Sequence, residues 1–353
     1  MDERRDVPLA DLTTLRLGGP ARRLLVPATE AELIAAVRDV DGGGEPLLLL
    51  AGGSNLVIAD AGFDGTVVRI ATRGIDAERR DGRLRLTVAA GEPWDELVAR
   101  CVADGLAGVE CLSGIPGSVG ATPVQNVGAY GAEVAAVTVA VRAWDRRAGE
   151  LVELTPRQCE FGYRSSVFKR DERYLILAVS FELPVAELGR PVAYGQLAER
   201  LGVAVGERVP PAEARAAVLA LRREKGMVID PADPDSVSAG SFFTNPILDS
   251  EHAQALERRV HERLGPDARV PIWPQPDDRV KASAAWLIER AGFGRGYGVG
   301  RAGLSSKHTL ALVNRGGATT AELLAVAREI RDGVRAAFGV ELKPEPKLIR
   351  TDF

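Results

Sequence analysis

Apolar positions recur along the 353-residue chain at two periods, and the changes between them predict its elements. Leu33, Val37 and Val40 stand at helical spacing behind Thr29-Glu-Ala-Glu32, which has the form of a capping box, so a helix starts there. Residues 47–51 are an apolar run of strand length that breaks into Gly52-Gly53-Ser54-Asn55, and a second strand is predicted over 66–70. The strand 84–88 precedes a helix that carries Trp94, Leu97, Val98 and Cys101 on one face. Strands over 138–144 and 174–183 and a helix over 211–225 complete a middle region, and Asp230-Pro-Ala-Asp-Pro-Asp235 reads as a linker or surface turn. A third segment opens at Ala239. It holds a helix over 252–264, a proline-rich stretch at 271–276, a helix over 281–290 with Trp286 and Leu287, and alternating glycines over 292–300. Thr319-Thr-Ala-Glu322 is a second capping box. It feeds a helix whose Leu323, Ala327, Ile330, Val334 and Phe338 make one apolar stripe, ended by Gly339.

One stretch fits neither period. Between Cys111 and Ala132 the chain has no charged residue, yet it contains five glycines and two prolines in Ser113-Gly-Ile-Pro-Gly-Ser-Val-Gly-Ala-Thr-Pro-Val-Gln-Asn-Val-Gly-Ala-Tyr-Gly131. Loops normally run along the wet surface, so an uncharged connector of this length implies that something covers it. Glycine lets main chain approach a ligand with no Cβ in the way, and its amides can meet phosphate oxygens. A tight buried connector is the plainer reading of the same residues.

Charge and composition narrow the choice. The formal net charge of −4, with Lys and Arg scattered, provides no basic field for nucleic acid. The longest apolar runs are strand-sized, well short of the roughly 20 residues a membrane helix needs. The opening Met1-Asp-Glu-Arg-Arg-Asp6 has no apolar stretch, so the expectation is a cytoplasmic protein without a leader or membrane insertion. Cys101, Cys111 and Cys159 are too few and too far apart for a disulfide framework, and His252, His261 and His308 form no metal-ligand cluster.

Gly298-Val-Gly-Arg-Ala-Gly303 satisfies G-x-G-x-x-G, but it follows a glycine-rich run where a dinucleotide fingerprint needs a strand before and a helix after. Gly114, Gly117 and Gly120 are spaced G-x-x-G-x-x-G, which is not that fingerprint either. The Gly52 to Asn55 turn is better placed, since a strand delivers its amides and hydroxyl to an anion. Two such loops suggest a long diphosphate-bearing ligand, such as a flavin dinucleotide. Among single residues, Ser241 fits a turn or cap serine, or a hydroxyl proton donor; no neighbouring base activates it as a nucleophile. Arg164 beside Tyr163 can bind a carboxylate bidentately or lie on the surface. Glu345 is held in a stiff segment between Pro344 and Pro346, and Lys225 and Lys281 fit phosphate ligands or solvated helix residues.

Taken together, Leu-Leu-Leu-Ala-Gly-Gly-Ser-Asn-Leu, Ser-Gly-Ile-Pro-Gly-Ser-Val-Gly-Ala, Gln-Asn-Val-Gly-Ala-Tyr-Gly, Phe-Gly-Tyr-Arg-Ser-Ser, Ala-Gly-Ser-Phe-Phe-Thr-Asn-Pro and Lys-Pro-Glu-Pro-Lys-Leu-Ile resemble, in order and from about Thr13 to Ile349, the UDP-N-acetylenolpyruvoylglucosamine reductase family. The resemblance implies an α+β fold: a two-lobed FAD-binding region of the vanillyl-alcohol-oxidase (PCMH) type plus a smaller α/β substrate-binding domain. The implied boundaries are 1–75 with 339–353 for the first FAD-binding lobe, 76–225 for the second and 226–338 for the substrate domain.

It also implies that NADPH reduces a non-covalent FAD. The flavin then passes the hydride to the enolpyruvyl group of UDP-N-acetylglucosamine-enolpyruvate, giving UDP-N-acetylmuramate for peptidoglycan. Arg164 and Glu345 would polarise the substrate carboxylate, and Ser241 would donate the proton that completes the lactyl ether. The FAD contacts implied are Gly52, Gly53, Ser54, Asn55, Ser113, Gly114, Ile115, Pro116, Gly117, Ser118, Gly120, Ala121, Asn126, Gly128, Gly131 and Arg222. The substrate contacts implied are Tyr163, Tyr194, Lys225, Asn245 and Lys281. Thr244 stands where the family commonly has lysine. The expected state is a monomer. The alternatives are a flavin oxidase of the same fold, for which Cys111 is the one candidate covalent tether, and a non-catalytic sugar-nucleotide binder.

Overall fold

The computed structural model describes residues 1–275 and 277–353, so Pro276 of the predicted proline-rich stretch lies outside the described residues. The chain forms two compact units, one of residues 1–7, 20–53 and 63–228 and one of 8–19, 54–62 and 229–353. The architecture is α+β, as expected.

The first unit contains a two-stranded ribbon, Gly128–Ala129 with Ala132–Glu133, and two larger sheets. In one, the strands run in the order Asp2–Pro8, Pro20–Val26, Phe63–Arg69, Leu47–Leu50, and the last three are parallel. Helix Glu30–Gly42 is the crossover between parallel strands; its Leu33, Ala36, Val37 and Val40 pack with Leu25, Val68, Leu175 and Leu177. Its cap departs from the predicted box in one arm: Thr29 Oγ1 accepts from Glu32 N, but the Glu32 carboxylate reaches back to Ala28 N at 2.8 Å. The second sheet is antiparallel, in the order Glu150–Leu154, Thr138–Asp145, Tyr174–Pro184, Arg83–Ala89, Ile75–Arg80. Helices Trp94–Ala103 and Pro211–Glu224 contribute to its core, where Trp94 meets Phe181 edge to face at 5.8 Å.

In the second unit, Ser238–Ser241, Ala311–Asn314 and Ala302–Leu304 form one sheet and Ile247–Leu248, Val280–Ala282 and Ile272–Pro274 another. Helix Thr320–Phe338 packs the predicted stripe into the core, and its capping box is complete in both arms. Residues 281 and 282, expected at the start of a helix, belong instead to Val280–Ala282, the central strand of the second sheet, and the helix is Ala284–Arg290, capped by Ser283. Pairing on both sides outweighs the local helical spacing. Segment 54–62 groups with this unit, although it was expected with 1–75. Leu56–Ile58 pairs in parallel with Lys347–Ile349, and Asp60 accepts from the amides of Thr320 and Ala321 at the helix start.

Candidate functional site

The glycine loop of the first unit is fastened along its length. Trp94 Nε1 donates to Leu112 O at 3.0 Å, Trp94 N to Gly117 O, Val119 N to Glu92 O and Gly120 N to Ala90 O. Asp95, in the first turn of the same helix, accepts Gly114 N at 2.6 Å and both terminal nitrogens of Arg215 at 2.6 and 3.0 Å. Burial alone would raise its pKa; the Arg215 fork and the Gly114 amide outweigh this and lower it. Sequence reasoning missed Asp95, because an acid in a helix's first turn reads as a dipole partner and nothing local points to a loop twenty residues on.

Space decides which glycines are required. A Cβ on Gly52 would lie 2.6 Å from Gly117 Cα, so the two glycine segments pack main chain to main chain. A Cβ on Gly120 would lie 2.5 Å from that of Ala90. Gly53 has φ +62°, continuing the turn. Ile115 and Pro116 lie between Gly114 and Gly117, and Ala121 donates its amide to Ser118 O.

Three polar atoms buried beside this loop lack a hydrogen-bond partner among the described residues: Ser118 Oγ, Thr72 Oγ1 and Arg222 Nε. Arg222 donates through Nη2 to Met227 O at 2.7 Å, and its Nε faces the space a Gly114 side chain would fill, 3.2 Å from the Cβ position. Burial pulls its pKa down, opposed by Tyr130 and Asp95. Backbone brought close by glycine, with orphaned donors beside it, is what a large polar cofactor requires, so these residues fit a flavin dinucleotide.

Other expected contacts serve the protein itself. Ser113 Oγ donates to Glu110 O at 2.6 Å. Asn126 Nδ2 donates to Glu133 Oε2 and Gly162 O, and its Oδ1 accepts Ala135 N.

Gly162 and Ser165 exchange backbone hydrogen bonds, which puts Tyr163 and Arg164 at a turn tip, Arg164 with φ +50°. The guanidinium lies 5.5 Å from the Tyr163 ring centre and donates to Gly128 O at 3.0 Å. Tyr194 packs edge-on against Tyr130 at 5.5 Å, Lys225 Nζ lies 5.9 Å from the Tyr130 ring and donates to Gln196 Oε1 at 2.6 Å, and Gly131 abuts Ala193. Tyr194 and Lys225, 31 residues apart in the chain, are thereby joined through Tyr130, which the sequence did not single out.

In the second unit the structure brings Ser241, Asn55 and Glu345 together. Glu345 N donates to the carbonyl of Phe242, the residue after Ser241, and Asn55 Nδ2 to Glu345 O at 3.4 Å, while Lys347 N donates to Asn55 O. Ser54 precedes Asn55 on the same segment. Ser241 ends its strand behind an irregularity in the ladder, after Gly240 at φ +76°. Asn245 Oδ1 accepts Ala284 N, and Lys281 lies 5.8 Å from the Trp273 ring. The G-x-G-x-x-G run holds a cation: the carbonyls of Gly296, Tyr297, Gly298, Gly300 and Leu304 surround the Arg315 guanidinium, and Gly303 has no room for a side chain against it.

Two family models match the chain: FAD binding domain over residues 21–155, and UDP-N-acetylenolpyruvoylglucosamine reductase, C-terminal domain, over 231–349. The UDP-N-acetylenolpyruvoylglucosamine reductase of Thermobifida fusca is 57% identical over 98% of this chain and 97% of its own, and that of Streptomyces coelicolor 59% identical over 98% and 90%. The crystal structure of the Thermus caldophilus enzyme of that name superposes with a TM-score of 0.66 at 25% identity, covering 99% of this chain and 98% of the other.

Proposed function

The chain belongs to the UDP-N-acetylenolpyruvoylglucosamine reductase family, and from that premise we propose how its residues share the reaction. It is an FAD-binding oxidoreductase that reduces the enolpyruvyl group of UDP-N-acetylglucosamine-enolpyruvate to the lactyl ether, giving UDP-N-acetylmuramate in peptidoglycan synthesis. In this reading NADPH is the hydride donor, FAD is bound without a covalent tether, and the enzyme works in the cytoplasm. Its buried free thiols Cys101, Cys111 and Cys159 fit a reducing compartment.

When bound, FAD relays the hydride from NADPH to the vinyl carbon farther from the substrate carboxylate. Gly52, Gly53 and the loop 113–121 would hold the cofactor's diphosphate, through those main-chain amides that the protein's own hydrogen bonds do not take, and would exclude water beside it, with Arg222 adding a buried cation. The remaining expected FAD contacts, Ser54, Asn55, Asn126, Gly128 and Gly131, keep that role. Hydride addition drives negative charge toward the substrate carboxylate. Arg164 meets that charge as a fixed cation, and Glu345 polarises the substrate carboxylate with it. Ser241 Oγ donates the proton to the carbon bearing the carboxylate. Tyr163, Tyr194, Lys225, Asn245 and Lys281 bind the sugar nucleotide, Lys225 and Asn245 at its diphosphate.

The observation that carries this reading is the packing of Gly52 on Gly117 beside the unpartnered Ser118 Oγ and Arg222 Nε. The test is a visible spectrum followed by two anaerobic half-reactions. The purified protein is expected to be yellow, to bleach with NADPH and to recover colour on adding the enolpyruvyl sugar nucleotide. Recovery only with oxygen would favour the oxidase reading instead, and colour that stays with acid-precipitated protein would refute non-covalent binding.

A further inference from the structure

Thr72 lies on a loop that the glycine motifs do not include, and the loop is bound to the stretch that also holds the cradle. A Cβ on Gly91 would lie 2.5 Å from Ala71 C and 2.6 Å from Thr72 N and O, so this glycine exists to let the two main chains touch. The next residue, Glu92, accepts Gly74 N at 2.7 Å and Arg73 Nη1 at 3.3 Å through its carboxylate. Its carbonyl accepts Val119 N, Ala90 O accepts Gly120 N, and Pro93 is bridged to Ser118. Residues 90–93 thus hold Thr72 and Ser118 in one neighbourhood. Both residues are only 5% exposed, and neither hydroxyl has a partner among the described residues.

A buried hydroxyl without a partner is costly, and two of them held by one four-residue stretch point to a ligand that satisfies both. We propose that Thr72 is a cofactor contact beside Ser118, its hydroxyl hydrogen-bonding an uncharged polar group of the bound flavin dinucleotide, on the ring edge or the ribityl chain. This rests on the FAD-binding reading of the first unit. A hydroxyl that both donates and accepts suits a ring carbonyl, an imide N–H or a sugar hydroxyl, and the Glu92 carboxylate bonded to the same loop, paired with Arg73, leaves no net positive charge there to draw a phosphate.

The test compares wild type, Thr72→Val and Thr72→Ser as full-length chains, by FAD titration of the flavin-free protein, by the absorption maximum of bound flavin and by thermal unfolding with and without FAD. Valine keeps the shape and removes the hydroxyl. Thr72→Val is expected to raise the FAD Kd about tenfold and to shift the flavin band, while the flavin-free protein melts at the same or a higher temperature because an unpartnered group has gone. Thr72→Ser retains the hydroxyl and is expected to bind FAD within about threefold of wild type. Unchanged affinity in Thr72→Val overturns the proposal. So does a fall in the melting temperature of the flavin-free variant that parallels the loss of affinity, which marks the hydroxyl as structural. Wild-type protein that binds no FAD fails at the earlier step, and only that outcome removes the reading beneath.

Discussion

Ser241 has no acid or base next to it in sequence, and a proton donor to a carbanionic centre needs none: the centre itself takes the proton. Ser241→Ala is therefore expected to leave bleaching by NADPH within about twofold of wild type and to slow reoxidation by the sugar nucleotide about 10²–10⁴-fold. Stopped-flow absorbance separates the two half-reactions, and equal loss in both would falsify the role. Arg315 makes a second case. Lysine keeps the charge, but as a compact point it cannot fork to the five carbonyls of residues 296–304 that the guanidinium meets. Arg315→Lys is expected to destabilise the protein by about 1–3 kcal/mol in denaturant unfolding, with flavin affinity unchanged. Glycine positions at this scale were legible in the sequence, but their purpose was not. Spacing shows where side chains are missing, and only the fold shows whether amides or carbonyls face the gap. Gly298, Gly300 and Gly303 have a dinucleotide spacing that their context ruled out, and in the fold they lie against a cation. Thr72 and Asp95 left no local trace, since one acts by having no partner and the other across sequence distance.

Among the elements, the turn after strand Thr138–Asp145 carries a built-in pH sensitivity. Asp145 is buried, accepts the amides of Arg147 and Ala148 at 3.0 Å each, and takes the Arg173 side chain through Nε at 2.7 Å. The Arg173 hydrogen bonds, first among these causes, hold its pKa down from 3.8 to about 2. A depressed carboxyl stabilises the fold at every pH above its unfolded value, and that stabilisation is lost as pH falls through the folded one. The melting temperature is thus expected to drop between about pH 4 and pH 2, and Asp145→Asn to be less stable than wild type at pH 7 with a shallower acid dependence. A variant with the full wild-type acid slope would remove Asp145 from the account. Helices with a cap and an apolar stripe, such as Thr320–Phe338, were readable because their signals are local. Three-residue strands were not. Lys281 and Ala282 read as helix until the strand partners on both sides are known, and Leu56–Ile58 has a partner nearly three hundred residues away.

At the scale of the whole molecule there are two units, each with its own apolar core. Unfolding is therefore expected to depart from a single cooperative step, with a calorimetric enthalpy exceeding the van't Hoff value. FAD should raise the transition of the first unit, which carries all the expected FAD contacts except Ser54 and Asn55, by about 2.7 kcal/mol when free FAD is a hundred times its Kd. The tryptophans provide the probe, because Trp94 and Trp144 belong to the first unit and Trp273 and Trp286 to the second. Replacing either pair with phenylalanine leaves fluorescence from one unit alone, and if both versions melt together with and without FAD, the units do not unfold separately. The sequence places a boundary after residue 225, near the acidic turn, and the family resemblance puts 339–353 with the first lobe, whereas 229–353 groups in the second unit. It could not show the exchange of 8–19 and 54–62 into the other unit, since nothing in a short segment records which distant strand it will join.

The parallel pair of Leu56–Ile58 with Lys347–Ile349 also bears on how the protein is made. A ribosome delivers residues 56–58 nearly three hundred residues before the strand they pair with. The first unit has all its segments in hand by residue 228, but the second waits with an open strand edge until residues 347–349 have followed. Messages cut short between these points would therefore yield products with every segment of the first unit and a second unit that lacks its closing strand. Such products would be prone to pair with foreign strands and open to proteases, so a cut before residue 347 exposes an edge that the intact chain covers.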